Sequence, residues 1–399
     1  MGALSRTEAA SLAFLGSALV FGFVLGLVLA FGSSETDPWE ERWAELGIPE
    51  AEFVFLGDLT VEEQGSIRRE LRAAQVVLAE HFGAVTSDFT VYASTDLDAL
   101  NEQLAEFNAG KIGFTCGGRA SRGAVFLILR GCEDGTRSLG GPLAHEYFHI
   151  LQYEAGDVLS WRQGELGWTV EGSAEYAQAL VIDALGRISL DGIREGLRLS
   201  WAAGAGRVED DPYGVGFLAI DWLAEGRGAE AVMEFFHLGG HRTAFESAFG
   251  MPLGVFRSSF DAYRRVVAPP FEWHVGGTIL SEDSVPIEGV HVFALVRIEG
   301  TAWTAGRGET DREGAFEFTA PGSGYTLGVW IQCPREDGVL DYVHAGEQGA
   351  DGFVADVDGL FGRGVRGPNP FMDGERDRKD IVIKLTETQE SLIAKHCQQ

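Results

Sequence analysis

The pentapeptide His145-Glu146-Tyr147-Phe148-His149 works as a unit only if it is helical. At 3.6 residues per turn its two imidazoles stand one above the other on a single face, with Glu146 one residue round. Two neutral imidazoles in that arrangement can bind one zinc ion, and the glutamate can reach a water on it. The flanks predict the helix: Gly140-Gly141 breaks the preceding segment, Pro142 suits a first helical position, and Ala155-Gly156 supplies a stop. Leu143, Phe148, Ile150 and Leu151 make the rest of the helix apolar.

A surface helix with two incidental histidines is the plain alternative, and the next stretch weighs against it. Trp168-Thr169-Val170-Glu171-Gly172-Ser173-Ala174-Glu175-Tyr176 also reads as a helix start. Glu171 and Glu175 are four apart and share a face. On a helix otherwise lined by Val170, Ala174, Ala177, Leu180 and Val181, two carboxylates are costly to bury without a cation. Glu154 and Glu165 are rival third ligands without that context, and His237 and His241 are separated by Leu-Gly-Gly, which argues against one continuous helix.

Together the two stretches resemble the gluzincin metallopeptidases, the peptidase-MA-like group that includes thermolysin and the aminopeptidases. The resemblance spans roughly residues 50 to 267, and only the two motifs are specific. It implies a zincin-like domain of mixed sheet and helices in which His145, His149 and Glu171 hold Zn2+. It makes Glu146 the general base, and Glu175 the acid that hydrogen-bonds a ligand histidine. Related enzymes often carry a downstream tyrosine or histidine that donates to the tetrahedral oxyanion, and Tyr213 is the candidate here, a partly buried tyrosine packing a helix start being the equal alternative. The run Gly123-Ala124-Val125-Phe126 precedes the histidine helix as the cleft-edge strand does in gluzincins, which implies substrate binding by strand addition. An interior strand is the equal alternative.

Charge narrows the partners. With 31 Lys+Arg against 60 Asp+Glu the formal net charge is -29, which argues against nucleic acid and anionic membrane surfaces. Leu12 to Phe31 is almost wholly apolar and uncharged, long enough at about 20 residues to span a bilayer. Arg6 before it and Glu35, Asp37, Glu40 and Glu41 after it favour the amino terminus inside and the bulk outside. Ala30-Phe31-Gly32 also suits a cleavage site, so a secreted product of a signal peptide stands beside the favoured single-pass anchor. Four cysteines, none in a Cys-x-x-Cys pair, suit export with disulfides 116–132 and 333–397, although sequence allows three pairings.

Along the chain, residues 1–36 form the anchor or signal peptide and 37–50 a polar lead-in to the catalytic domain, 37–268. Within it, strands at Phe53–Leu56, Phe89–Tyr92 and Ala124–Leu129 alternate with helices at Val61–Phe82 and Asp96–Phe107. Asp211-Pro212 opens a later helix, and Val255 to Val267 closes the region. Beyond Pro269-Pro270 the pattern changes to short strands at Val275–Leu280, Val290–Val296, Ala315–Phe318, Tyr325–Ile331 and Ile381–Leu385. This predicts an all-β sandwich over 271–387, before a tail at 388–399. Gly276, Pro286-x-x-Gly289, Thr310-Asp311-x-x-Gly314 and Tyr325-x-Leu327 resemble the carboxypeptidase-regulatory-like, transthyretin-like domain. Residues 335 to 379 depart from it as a Gly/Asp-rich insertion; Asp351, Asp356, Asp358, Asp373, Asp377 and Asp380 could bind calcium, but without regular loop spacing a solvated polar loop is the favoured reading.

The fold class expected is therefore α+β with an added β-sandwich and an N-terminal transmembrane helix. The function expected is zinc-dependent hydrolysis of a peptide or protein substrate outside the cytoplasm. The competing reading is a non-catalytic exported binding protein with a structural zinc site and a partner-binding sandwich; Glu146, which a structural site does not need, counts against it.

Overall fold

Of the chain, the computed structural model describes residues 37–107, 110–112, 117–129, 140–156, 162, 164–202, 208–267, 271–281, 283–298, 301–321, 326–334, 340–349, 352–354 and 377–385. Two units are distinguished, Met1–Gly47 and Ile48–Gln399. In the first, α1 (Pro38–Glu45) stands where a polar lead-in was expected. The local reason is that Asp37-Pro38 is itself a helix start: the Asp37 carboxylate accepts from the Trp39 amide at 3.0 Å, and proline takes the first turn.

The second unit begins β1 (Glu52–Leu56), α2 (Val61–Phe82), β2 (Thr90–Ser94), α3 (Leu97–Glu106). A capping box starts α2, with the Thr60 amide donating to Glu63 at 2.7 Å and the Glu63 amide to the Thr60 hydroxyl at 3.2 Å. Gly83 ends it at φ +64°, the left-handed stop that glycine takes without strain. Asp96 caps α3 through the Asp98 and Ala99 amides.

A hairpin of β3 (Gly117–Ser121) and β4 (Ala124–Ile128) completes a sheet of order β1-β2-β4-β3, parallel except at β3. All five residues of β4 are buried. This corrects the assignment of Gly123, Ala124, Val125 and Phe126 to the substrate edge. β4 is hydrogen-bonded on both sides, by β2 and β3, and has no free backbone to offer a peptide. Among the described strands of this sheet the outer positions belong to β1 and, on the side of β4, to β3.

Against this sheet packs α4 (Gly140–Ala155), and beside it α5 (Trp168–Ala184), which is crossed in turn by α7 (Gly214–Arg227) after α6 (Leu190–Ala202). The crossing needs glycine at position 172: a Cβ there would lie 2.5 Å from the Gly216 carbonyl carbon. Then α8 (Glu230–His237), α9 (Arg242–Phe249) and α10 (Leu253–Val267) close the layer around the buried rings of Phe235, Phe236, Phe245, Phe249 and Phe256.

Beyond them lie two sheets: β5 (Phe271–Ser281) with β8 (Ala315–Pro321) and β12 (Asp377–Leu385), and a five-stranded sheet of order β11-β10-β9-β6-β7. In the latter, β6 is Val290–Ile298, β7 Thr301–Glu309, β9 Thr326–Pro334, β10 Leu340–Gly349 and β11 Gly352–Val354. Val275, Ile279, Val292, Ala305, Phe316, Phe318 and Leu327 form one core between the sheets, and Leu199 of α6 belongs to it. A side chain at Gly196 of α6 would run into the Trp303 indole. The helix thus fills part of the β core. The insertion read as a polar loop carries the antiparallel β10–β11 pair instead.

The mixed α+β class is observed. Among the described residues no helix is long and apolar enough to cross a membrane. Leu12–Phe31, Pro269-Pro270, Cys116, Cys132, Cys397 and Asp351, Asp356, Asp358 and Asp373 lie outside the described residues. So do both disulfides, since Cys333 is described only as backbone in β9, and no disulfide is found among the described residues.

One ion pair fixes α6 to α7. Arg194 donates to both oxygens of Asp221, Nε at 2.9 Å and Nη2 at 2.6 Å, and Asp221 is 2 % exposed. Burial raises the Asp221 pKa, only partly offset by the guanidinium. Arg194→Ala should therefore cost about 3–5 kcal/mol, because it strands a buried charge. With its pKa raised in the folded state, Asp221 binds its proton more readily there than in the unfolded chain. The deficit should then shrink as pH falls toward the ordinary carboxylate range. Urea melts at two pH values check both points, and an unchanged midpoint would refute them.

Candidate metal centre

The histidine helix forms as its sequence dictates, and α4 brings His145 and His149 onto one buried face, 8 % and 2 % exposed. Their Nε2 atoms are 3.2 Å apart. From α5, Oε2 of Glu171 lies 3.4 Å from His145 Nε2 and 3.3 Å from His149 Nε2. These three atoms form the cluster able to hold a metal among the described residues. The spacing suits zinc: a tetrahedral centre bound about 2.05 Å from each ligand sets its ligands about 3.3 Å apart.

The imidazole tautomers also suit it. Gln152, fully buried, donates its amide to the Val170 carbonyl at 3.0 Å and the Ser173 hydroxyl at 2.9 Å. Its carbonyl therefore faces His149 Nδ1, 2.7 Å away, and that nitrogen must carry the proton. His149 Nε2 is left with its lone pair toward Glu171. Glu175 does the same for the other ring, with Oε1 3.1 Å from His145 Nδ1. His145 is thus held from behind by α5, the helix that carries the third ligand, and His149 by Gln152 of α4, itself anchored on α5.

The pocket favours positive charge. Burial opposes protonation of His145, yet the bonds to Glu171 and Glu175 push its pKa up to about 10. Burial alone would raise the Glu171 carboxyl; without a metal, bonds to His145 and His149, which need a proton on Nε2, and the Arg162 guanidinium nearby hold it far below the usual carboxylate range, and a bound metal would take the place of those protons.

Glu146 is buried beside His145, its side chain against the backbone of β3, where a Cβ on Gly118 would stand 2.5 Å from Glu146 Cγ. Tyr213 lies over the site, its ring stacked on His145 with centroids 6.3 Å apart. It is 50 % exposed, and burial with the charge of Glu171 pushes its phenol up to about 12, which keeps it a proton donor. Asp211, whose carboxylate accepts from the Gly214 and Val215 amides, fixes this start of α7.

The structure separates the rivals from the centre. Glu154 accepts from the Thr86 hydroxyl at 2.6 Å, and Glu165 faces Arg257 and Arg242 at 3.6 and 3.9 Å. His241 caps α9 through the Ala244 amide. Sequence reasoning missed Gln152, Arg162 and Gly118. Of these Gln152 left a signal: a polar residue three after His149 on an apolar helix. Gln152→Leu should lower zinc affinity by roughly 10- to 100-fold, since nothing then orients His149. Competition with a chromophoric chelator measures it, and parental affinity would refute the role.

No protein-family model and no curated protein matches the chain. Among solved structures, it is similar to an M1 zinc metallopeptidase from Deinococcus radiodurans at 15% identity and TM-score 0.35, over 53% of this chain and 47% of that one. Legionella pneumophila aminopeptidase A gives 14% and 0.34, over 67% and 34%. A 9R-lipoxygenase from Cyanothece gives 17% and 0.19, over 49% and 23%. The chain spans about half or less of the length of these structures, and likeness at this level carries no argument about function.

Proposed function

We propose that this chain is a zinc-dependent peptide hydrolase of the gluzincin type. The observation that carries the reading is the convergence of His145 Nε2, His149 Nε2 and Glu171 Oε2 at 3.2–3.4 Å, with Glu146 buried alongside. Zinc bound there supplies a Lewis acid that polarises a carbonyl and makes a water acidic near neutral pH. Glu146 takes the proton of the attacking water and passes it to the leaving amine. Tyr213 donates to the carbonyl oxygen as it gains charge. An extended peptide would add to the outer edge of β3, Gly117–Ser121, next to Glu146.

Metal analysis of the full chain with a broad peptide-library assay tests this. The expected result is one zinc per chain and cleavage that chelation abolishes and zinc restores. Zinc without cleavage of any peptide would leave the binding-protein reading instead.

Two finer proposals accompany it. The C-terminal sheets are a transthyretin-like module, on the turn pattern Thr310-Asp311-x-x-Gly314, in which Asp311 accepts from the Glu313 and Ala315 amides. The chain is exported and held by Leu12–Phe31, on the apolarity of that run and the charges around it. Non-reducing mass mapping of the native membrane fraction checks the latter: four free thiols, or a catalytic region facing the cytoplasm, would overturn it.

A further inference from the structure

Arg162 reaches the ligand cluster from the connection between α4 and α5. Its Nη2 lies 2.8 Å from Oε1 of Glu171 and 3.4 Å from Nε2 of His149. The two oxygens of Glu171 therefore have different partners: Oε2 faces both histidines, and Oε1 faces the guanidinium. We propose that Arg162 is a positioning residue that holds Oε1, keeps Glu171 a one-oxygen ligand and so keeps a position open for the reaction, while lowering affinity for the metal. The proposal rests on the metal-centre reading above.

The chemistry follows from the carboxylate. With both oxygens available, it can chelate an ion and take up the position that substrate and water need. A charge-assisted hydrogen bond to one oxygen opposes that, and arginine cannot shed its charge to release it. The same positive charge beside the ion weakens binding by repulsion. With its side chain 39% exposed, Arg162 is not a cation that the core must keep paired. The 3.4 Å approach to His149 Nε2 is toward the lone pair that a metal would take, so with the ion bound the guanidinium keeps only its bond to Oε1 of Glu171.

The test compares the full chain with Arg162→Ala and Arg162→Lys, loaded with zinc for affinity and with cobalt(II) for its visible spectrum. Arg162→Ala is expected to bind zinc more tightly, by roughly tenfold, and to lose kcat by roughly 10- to 100-fold with little change in KM. Its cobalt bands should weaken as the coordination number rises. Arg162→Lys keeps a charge without the planar fork and should move the same way by less; it decides the matter if the alanine variant does not fold. A wild type that binds no metal overturns the metal-centre reading and this proposal with it. Metal binding in the wild type, with weaker affinity or an unchanged cobalt spectrum on removal of Arg162, overturns this proposal alone.

Discussion

Glu146→Gln should fold as the parent does, take up zinc with parental affinity and lose about a thousandfold of its turnover, within the range that a single acid–base group supplies. The reason for the split is where Glu146 sits. It is 8 % exposed and belongs to neither the ligand triangle nor the hydrogen bonds behind the imidazoles, which go to Gln152 and Glu175. Glutamine keeps its volume against Gly118 and removes only the ability to hold a proton. Gly118→Ala attacks the same group from the other side. A methyl there meets Glu146 Cγ at 2.5 Å, so the carboxylate has to move while the ligands stay, and turnover should fall with zinc retained. Single-turnover peptide cleavage beside metal content measures both variants. Parental turnover in Glu146→Gln would remove the hydrolytic reading altogether.

The centre was legible in the sequence through helical spacing together with the resemblance to gluzincins, which singled out Glu171 over Glu154 and Glu165. His145 and His149 must share a face, Glu171 and Glu175 must share another, and an apolar helix has to bury both. What the sequence withheld is what comes from tertiary contact. β3 reads Gly-Gly-Arg-Ala-Ser, with no alternating apolar face, so nothing marked it as a strand. Its role is given by Ala124–Ile128, five consecutive buried residues that demand a partner on each side. The apolar run itself was assigned to the edge on the resemblance, with an interior strand as the equal alternative; continuous apolarity signals an interior strand, and that is where it lies. Arg162 could not be found by spacing, because it lies between the two motif helices and belongs to neither. The last strands gave up their turns but not their partner: no pattern in β5–β9 announces that Leu199, from a helix some seventy residues earlier, completes their core.

Glu171→Ala should lose zinc affinity by roughly a thousandfold, since a bound structural zinc is worth about 10–16 kcal/mol shared over its ligands. Two histidines alone remain, and the change in their surroundings deepens the loss. The Glu171 carboxylate is also the partner of Arg162 at 2.8 Å. Without it the guanidinium stands unpaired 3.4 Å from His149 Nε2, a cation facing the place where another is to bind. Glu154→Ala and Glu165→Ala should keep full zinc, because those carboxylates already serve Thr86 and the Arg257–Arg242 pair. Metal per chain and chelator competition, run on the three variants together, decide the ligand set. Full occupancy in Glu171→Ala would put the third ligand elsewhere. Glu175 is another carboxylate of α5 close by, but it is bonded to Nδ1 of His145, on the side of the ring that faces away from His149 and Glu171. To replace Glu171 it would have to release that imidazole, and the tautomer that presents Nε2 to a metal would go with it.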